Sequence, residues 1–196
     1  MSNVSKGLLL LGAIGGFLVG ILVTPGVAEV LGFIEYRDWW ILPQGLITMY
    51  SLITLGGILI GIGFLGLWRK SGNSIPLVSA ILIFLMDIGF LYSEMWTFLP
   101  YPWLYPDPSS PVINAIVSTS MGVAWFSAGI SAWILREQLS RFAIVTALAL
   151  VVAAAESLEK GLLFGFLTYD PLFIWLMALT GIVVGIFFLD AIRIET

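Results

Sequence analysis

The sequence contains no cysteine and no histidine, and charged residues make up only 10% of its 196 positions. Without cysteine the chain cannot form a disulfide, a thiolate nucleophile or an iron–sulfur cluster. Without histidine it lacks the usual protein ligands of haem, copper and zinc, and it cannot build a Ser-His-Asp triad. We therefore expect no cofactor and no metal centre. Any chemistry must use carboxylates, lysine, hydroxyls, aromatic rings or the backbone.

Apolar residues dominate the composition of the chain. They make up 60% of the chain, and the mean hydropathy is +1.07. A soluble domain is nearer half apolar and a quarter charged, so this composition is typical of a polytopic membrane protein in a lipid bilayer. The net charge of −4 comes without clusters of basic residues that would bind nucleic acid, so we expect no nucleic-acid partner.

Six apolar runs predict six transmembrane helices, because about 20 apolar residues suffice to cross a bilayer. The predicted fold is an all-α integral membrane protein, a six-transmembrane-helix bundle forming one domain over residues 1–196. Pro111 and Pro171 stand at the start of their runs, where a missing N–H costs little. The predicted spans cover residues 7–31, 45–68, 75–99, 111–135, 142–167 and 171–192.

The basic residues outside the spans predict the orientation. All but one fall on the same side of the predicted topology, and only Arg37 falls on the other. By the positive-inside rule this distribution places both termini in the cytoplasm and the protein in the cell membrane as a multi-pass protein. The residues on the shared side are Lys6, Arg69, Lys70, Arg136, Arg141 and Arg193.

Small residues recur at every fourth position in most of the predicted helices. Such small-xxx-small faces let helix backbones approach closely. They predict tight helix packing but leave open whether the partner helix belongs to the same chain, to a second copy or to another membrane subunit. The repeats are Gly12/Gly16/Gly20, Gly57/Gly61, Ser120/Ala124/Ala128, Gly161/Gly165 and Gly181/Gly185.

Six acids fall inside the predicted spans, and Glu29 and Asp190 stand near span ends. The other four acids and one lysine lie deeper, where a charge costs at least a few kcal/mol and usually faces a protein interior or a watery cavity. Glu156 and Lys160 are spaced i, i+4 in the order that favours an ion pair, and Glu159 is expected on the same helical face. From the rise per residue we expect a central level and an outer level of charge. Asp87 and Glu156 belong to the central level; Glu94, Glu159 and Lys160 belong to the outer one.

A single lysine cannot neutralise this set of acids, so protons, a bound cation or entering water must compensate the excess. We accordingly predict a ligand- or ion-binding site at Asp87, Glu94, Glu156, Glu159 and Lys160, with no catalytic residue assigned. The alternative is that protonated acids hydrogen-bond to hydroxyls and only hold helices together.

Aromatic residues crowd the predicted outer loops. They suit a headgroup belt, or a stiff lid that gates an outward-facing cavity. The residues of this predicted gate are Trp96, Tyr101, Trp103 and Tyr105, whereas Trp125, deep in the fourth helix, is expected to pack in the core.

Three functions fit these features. The first is transport of a small solute, a cation or protons, by a channel or a substrate-binding subunit. The second is a non-catalytic accessory subunit or assembly factor of a larger membrane complex, such as a respiratory one, with other membrane subunits or further copies as partners. The third is an enzyme that acts on lipid or isoprenoid by carboxylate acid–base chemistry. It ranks last, because no phosphate-binding or metal motif supports it.

Overall fold

The computed structural model describes residues 3–30, 43–95, 111–139, 142–162 and 171–194, and within these ranges the chain is helical without a β-strand. Six of the helices are long and apolar enough to cross a membrane. The prediction of an all-helical, multi-pass membrane protein is therefore confirmed. The helices are α1 (Asn3–Val30), α2 (Pro43–Ser71), α3 (Ile75–Met95), α4 (Pro111–Ile134), α5 (Arg136–Leu139), α6 (Phe142–Leu162) and α7 (Pro171–Arg193).

The helix starts follow the sequence prediction closely. Helices α3, α4, α6 and α7 begin at the predicted residues, and Pro111 and Pro171 are the first residues of α4 and α7. After α4, Arg136–Leu139 form the single helical turn α5. Parts of three predicted spans lie outside the described residues, namely 31, 96–99 and 163–167.

The turn between α2 and α3 is built from three polar or flexible residues. Gly72 has a φ of 71°, a left-handed conformation that glycine adopts without a steric penalty. Its N–H donates to Trp68 O at 2.9 Å, which ends α2 with a helix-capping bond. Asn73 Oδ1 then accepts a bond from the N–H of Ile75 at 2.9 Å and so caps the start of α3. The two helices are thereby joined tightly.

The transmembrane helices pack in a closed order. Each helix contacts the next one along the chain, from α1 through α2, α3, α4 and α6 to α7, and α7 returns to pack against α1. Consecutive spans run antiparallel. Gly66 near the end of α2, for example, lies beside Leu9 near the start of α1. The first and last spans therefore close the bundle.

Small residues make these contacts within the chain. A Cβ placed on Gly16 of α1 would lie 2.5 Å from the backbone N of Gly185 on α7. A Cβ on Gly12 would meet the Cα of Gly63 on α2, again at 2.5 Å. Close backbone approach of this kind is what small-xxx-small faces permit. The partners left open by the sequence are thus other helices of the same chain for these glycines, whereas Gly165 lies outside the described residues.

The described basic residues other than Lys160 lie at one end of the bundle, which we call the basic end. There the Lys70 ammonium donates to Ala191 O at 2.7 Å and to Ile194 O at 2.6 Å, linking α2 to the end of α7. The grouping matches the prediction from the sequence, while a cytoplasmic location stays a prediction. Arg37 and Arg141 lie outside the described residues. The basic residues at this end are Lys6, Arg69, Lys70, Arg136 and Arg193.

Large apolar side chains are divided between the interior and the outer surface. Phe64 of α2 and Phe188 of α7 are fully buried and meet edge to face, with ring centroids 5.4 Å apart. On the outside, Leu85, Ile88 and Ile116 are all more than half exposed. An outer surface as apolar as the interior is typical of helices surrounded by lipid.

A candidate carboxylate site in the bundle interior

Asp87 lies on α3 and is the most deeply buried acid among the described side chains, with 4% of its surface exposed. Its carboxyl packs directly against Gly57 on α2, in the space that a Cβ on that glycine would fill. Oδ2 of Asp87 has no hydrogen-bond partner among the described residues. A buried polar atom left without a partner costs about 1–3 kcal/mol, so this oxygen calls for a ligand, a water or a proton.

No basic side chain lies near this carboxyl on the helices that pack against α3. The described helix α4 contains no Asp, Glu, Lys or Arg. The only charged residues of α2 are Arg69 and Lys70, which lie more than three turns from Gly57, at the basic end. An ionised carboxylate here would be a charge without a counter-ion in a low-dielectric interior, which is unfavourable by several kcal/mol. A proton or a bound cation is needed to neutralise it.

Glu156 and Lys160 form a separate charged pair on α6. The Lys160 ammonium lies 3.6 Å from Glu156 Oε1, and the two side chains are 11% and 16% exposed. The i, i+4 ion pair that the spacing predicted is therefore confirmed. Glu156 and Lys160 therefore neutralise each other's charge. Asp87 has no such counter-ion among the described residues.

Glu159 is directed elsewhere. It is exposed, on the same side of α6 as Leu148 and Val152, whose side chains are 60% and 48% exposed. These positions follow one another at helical spacing along the outer surface of the helix. The structure therefore places the Glu159 side chain on the exposed outer side of α6 and does not bring it to the buried side with Glu156.

Asp87 and the Glu156–Lys160 pair are held apart by α4. Both α3 and α6 pack against α4, and across their described residues they do not pack extensively against each other. A Cβ on Gly89 of α3 would lie 3.9 Å from Val117, and Gly161 of α6 packs against Thr119. These contacts put Asp87 level with Gly161, nearer to Lys160 than to Glu156. The predicted central level of Asp87 and Glu156 assumed that all helices start at the same depth, whereas neighbouring helices are staggered.

The remaining predicted site residues cannot be placed with these. Glu94 belongs to α3, but its side chain is outside the described part of the structure. The predicted gate of Trp96, Tyr101, Trp103 and Tyr105 also lies outside the described residues and stays a prediction.

Two polar groups that the sequence analysis did not assign to the predicted site are buried in α4. Ser118 is fully buried and Trp125 is 3% exposed. The hydroxyl of Ser118 and the indole Nε1 of Trp125 have no hydrogen-bond partner among the described residues. Trp125 is in the core as predicted, but its N–H is unsatisfied there. Single serines are frequent in membrane helices, so nothing in the sequence distinguishes Ser118 except that it lies seven residues before Trp125.

Hydroxyl groups also connect α3 and α4 near the basic end. Ser79 Oγ lies 2.8 Å from Ser127 Oγ and 2.8 Å from Ser131 Oγ. Interhelical hydrogen bonds of this kind hold membrane helices in register. Ser79 thus fixes α3 against α4 at a position about two turns from Asp87.

The described residues include no group of three or more Asp or Glu side chains arranged to hold a metal ion. Comparison of the chain with protein-family models, curated proteins and solved structures finds no match. The chemistry of the interior carboxylate is therefore the basis for assigning a function.

Proposed function

We propose that this protein transports a small solute, a cation or protons across the cell membrane, as a channel or a substrate-binding subunit, and that Asp87 is the binding carboxyl. The six-helix bundle acts as one domain, with both termini and the basic end in the cytoplasm. The observation that carries the proposal is the burial of Asp87 without an ion-pair partner among the described residues. A carboxyl that must be neutralised from outside the protein is a group that can take up and release a proton or a cation.

The position of Asp87 supports this role over a purely structural one. An acid that only holds helices together is expected to use both oxygens in hydrogen bonds, since an unsatisfied oxygen weakens the contact. Oδ2 of Asp87 makes no such bond among the described residues. Glu156 and Lys160, by contrast, have each other, and we assign that pair to the stability of α6.

The test is flux through the purified protein in liposomes. Proton, sodium and potassium gradients are imposed in turn, and entry is followed with an entrapped pH-sensitive dye or with isotope. We expect flux above that of empty liposomes for at least one of these ions, and Asp87→Asn should lower it at least tenfold. Asparagine keeps the shape of the side chain but cannot bind a proton or neutralise a cation.

The matched control is Glu137→Gln, because the Glu137 side chain is 81% exposed at the basic end. It removes one acid from the protein without touching the interior, and flux should stay at the wild-type level. Both variants are first compared with wild type by size-exclusion profile and thermal stability. Equal flux in wild type and Asp87→Asn, with both proteins folded, would contradict the proposed role.

A second function is favoured by Glu159. A carboxylate on the lipid-facing side of a membrane helix is better accommodated against a basic side chain of another subunit, which fits an accessory subunit or assembly factor of a larger membrane complex. Native mass spectrometry of the protein, extracted gently from its own membrane, tests this. A fixed ratio of co-purifying subunits that is lost in Glu159→Gln supports the second function. The protein alone or as a homo-oligomer, in wild type and variant alike, rejects it.

A further inference from the structure

Lys6 of α1 and Arg193 of α7 stand at the same level at the basic end. A Cβ on Gly16 of α1 would meet the backbone of both Gly181 and Gly185 of α7. Because consecutive spans run antiparallel, the first and the sixth span are antiparallel as well. Lys6 lies ten residues before Gly16, and Arg193 lies ten residues after the midpoint of the two α7 glycines. The rise from the glycine contact is therefore the same on both helices, about 15 Å.

Both bases lie on the side of the α1–α7 interface that faces away from α2. Helix α2 covers the opposite side, where Gly63 packs against Gly12 of α1 and Phe188 of α7. Lys6 is six residues from Gly12, and Arg193 is five residues from Phe188. At 3.6 residues per turn, each base is therefore turned about 120–140° around its helix from the residue that meets α2.

The residues beneath the two bases contact the opposite helix. Eleven residues are almost three whole turns, so Lys6 stands above Phe17 and Arg193 stands above Ile182. The Phe17 ring packs against a glycine of α7, and Ile182 packs against a glycine of α1. Each base thus lies on the part of its own helix that faces the other helix. We call the surface formed by Lys6, Phe17, Ile182 and Arg193 the α1–α7 groove.

The helices stay packed up to the level of the bases. Ser5, which precedes Lys6, is 3% exposed, and Ala191, two residues before Arg193, is 1% exposed. The Lys70 ammonium of α2 bonds to two carbonyl oxygens at the end of α7. This contact holds the end of α7 in the bundle, and its charge offsets the negative end of the helix dipole.

The groove carries positive charge that no described acid neutralises. Lys6 is half-buried and Arg193 is exposed, and neither forms an ion pair with a described carboxylate. Asp190 is the nearest described acid along α7, three residues before Arg193, and it forms no ion pair with Arg193 either. An anion at the mouth of the groove would therefore meet two cations without a competing carboxylate.

Below the bases the groove is apolar. Phe17 is half-buried and Ile182 is 36% exposed, and they are flanked by Leu10 and Leu179 at 49% and 55% exposure. Lysine and arginine at the ends of membrane helices extend to the headgroup level. Basic pockets between membrane helices bind anionic headgroups. A molecule that joins an anionic head to an acyl chain matches both parts of the groove.

We propose that the α1–α7 groove binds a phospholipid whose headgroup carries a net negative charge. The phosphate lies between Lys6 and Arg193, and an acyl chain runs along Phe17 and Ile182. The guanidinium of Arg193 donates to phosphate oxygens as a fork, while the Lys6 ammonium acts as a point charge. A zwitterionic choline headgroup binds less well, because it brings a cation beside the two bases. This site is separate from Asp87 and does not depend on the transport function.

The test is native mass spectrometry of the full chain in detergent micelles. Phosphatidylglycerol or phosphatidylcholine with the same acyl chains is titrated in, and protein with one bound lipid is counted against free protein. We expect phosphatidylglycerol to bind at least fivefold more tightly than phosphatidylcholine. Soluble glycerol 1-phosphate in large excess should not displace it, because a free anion lacks the acyl chain.

Substitutions of the two bases locate the site. Lys6→Gln and Arg193→Gln should each weaken phosphatidylglycerol binding about fivefold, and the double variant should bind it no better than phosphatidylcholine. The matched control is Arg69→Gln, which removes one exposed charge at the same end. Arg69 is six residues past Gly63, so it is turned about 120° around α2 from the contact with α1 and α7. Its binding should stay within twofold of wild type.

The inference fails under any of four results, each obtained with proteins that keep the wild-type size-exclusion profile. Equal affinity of the wild type for the two lipids would reject a site for a negative headgroup. Wild-type phosphatidylglycerol binding in the double variant would reject the two bases. A loss in Arg69→Gln as large as in Arg193→Gln would mean that the whole basic end attracts lipid without a site. Displacement by glycerol 1-phosphate would identify a soluble anion as the ligand.

Discussion

The carboxyl of Asp87 on α3 occupies the space that a Cβ on Gly57 of α2 would fill. The absence of a side chain at Gly57 is therefore what lets an acid fit between two packed membrane helices. The neighbouring glycine on the same helix, Gly56, packs instead against Val19 of α1. Adjacent glycines thus serve two different interfaces.

Gly57→Ala should displace the Asp87 carboxyl. The added methyl meets the acid and cannot be accommodated without a shift of α2 or α3, which we expect to cost about 1–3 kcal/mol of stability. Ion flux in liposomes should fall together with that of Asp87→Asn. Gly89→Ala is the control, since a Cβ there has only Val117 nearby, at 3.9 Å, and should be tolerated. Equal thermal stability and flux in the two alanine variants would show that the contact with Gly57 does not position the carboxyl.

Lys70 should stabilise the end of α7. Its ammonium donates to Ala191 O and Ile194 O, and a cation at a helix C-terminus is favoured by the helix dipole. Lys70→Met keeps most of the apolar stem and should lower the unfolding free energy by about 1–2 kcal/mol. The neighbouring Arg69 is exposed, so Arg69→Met should change it by less than about 0.5 kcal/mol. Unfolding in mixed micelles measures both, and equal effects would contradict a specific cap.

The local sequence predicts where each helix begins, but it does not predict which helices pack against each other. The first residues of α3, α4, α6 and α7 could be predicted because apolar runs, prolines and polar turns mark them. Buried acids could be found for a similar reason, since a charge such as Asp87 stands out in an apolar span. The ion pair of Glu156 and Lys160 needed only the periodicity of one helix.

The arrangement of the site depends on contacts between helices that no single span reveals. The separation of Asp87 from Glu156 follows from α4 lying against both α3 and α6. Every span is largely apolar on all sides, because lipid tails and the protein interior are both apolar surroundings. The sequence therefore could not show that Glu159 faces outward, nor that Ser118 is buried without a hydrogen-bond partner among the described residues.

Ser79 should contribute more to helix packing than an ordinary buried serine. Its hydroxyl contacts those of Ser127 and Ser131 on α4, and such interhelical bonds average about 0.6 kcal/mol each in membrane proteins. Ser79→Ala should therefore lower the unfolding free energy by about 1 kcal/mol. Ser120→Ala removes only a bond within its own helix, to Val117 O, and should cost less. A loss no larger for Ser79→Ala than for Ser120→Ala would argue against the hydroxyl contact.

The Glu156–Lys160 pair gives the sharpest test of which acids are structural. The two side chains are more than four-fifths buried and 3.6 Å apart, so removing one charge takes away the ion-pair partner of the other. We expect Glu156→Gln and Lys160→Met each to cost about 3 kcal/mol or more. The double variant should be more stable than either single one, because it removes both charges of the pair together.

The same double-mutant cycle can assign the pair to folding or to transport. If the pair is structural, the flux of the double variant should return toward wild type as its stability does. Loss of flux in a stable double variant would instead show that a carboxylate or ammonium of this pair takes part in transport. In that case the site would extend from Asp87 to α6, past α4, as the sequence alone had grouped these residues.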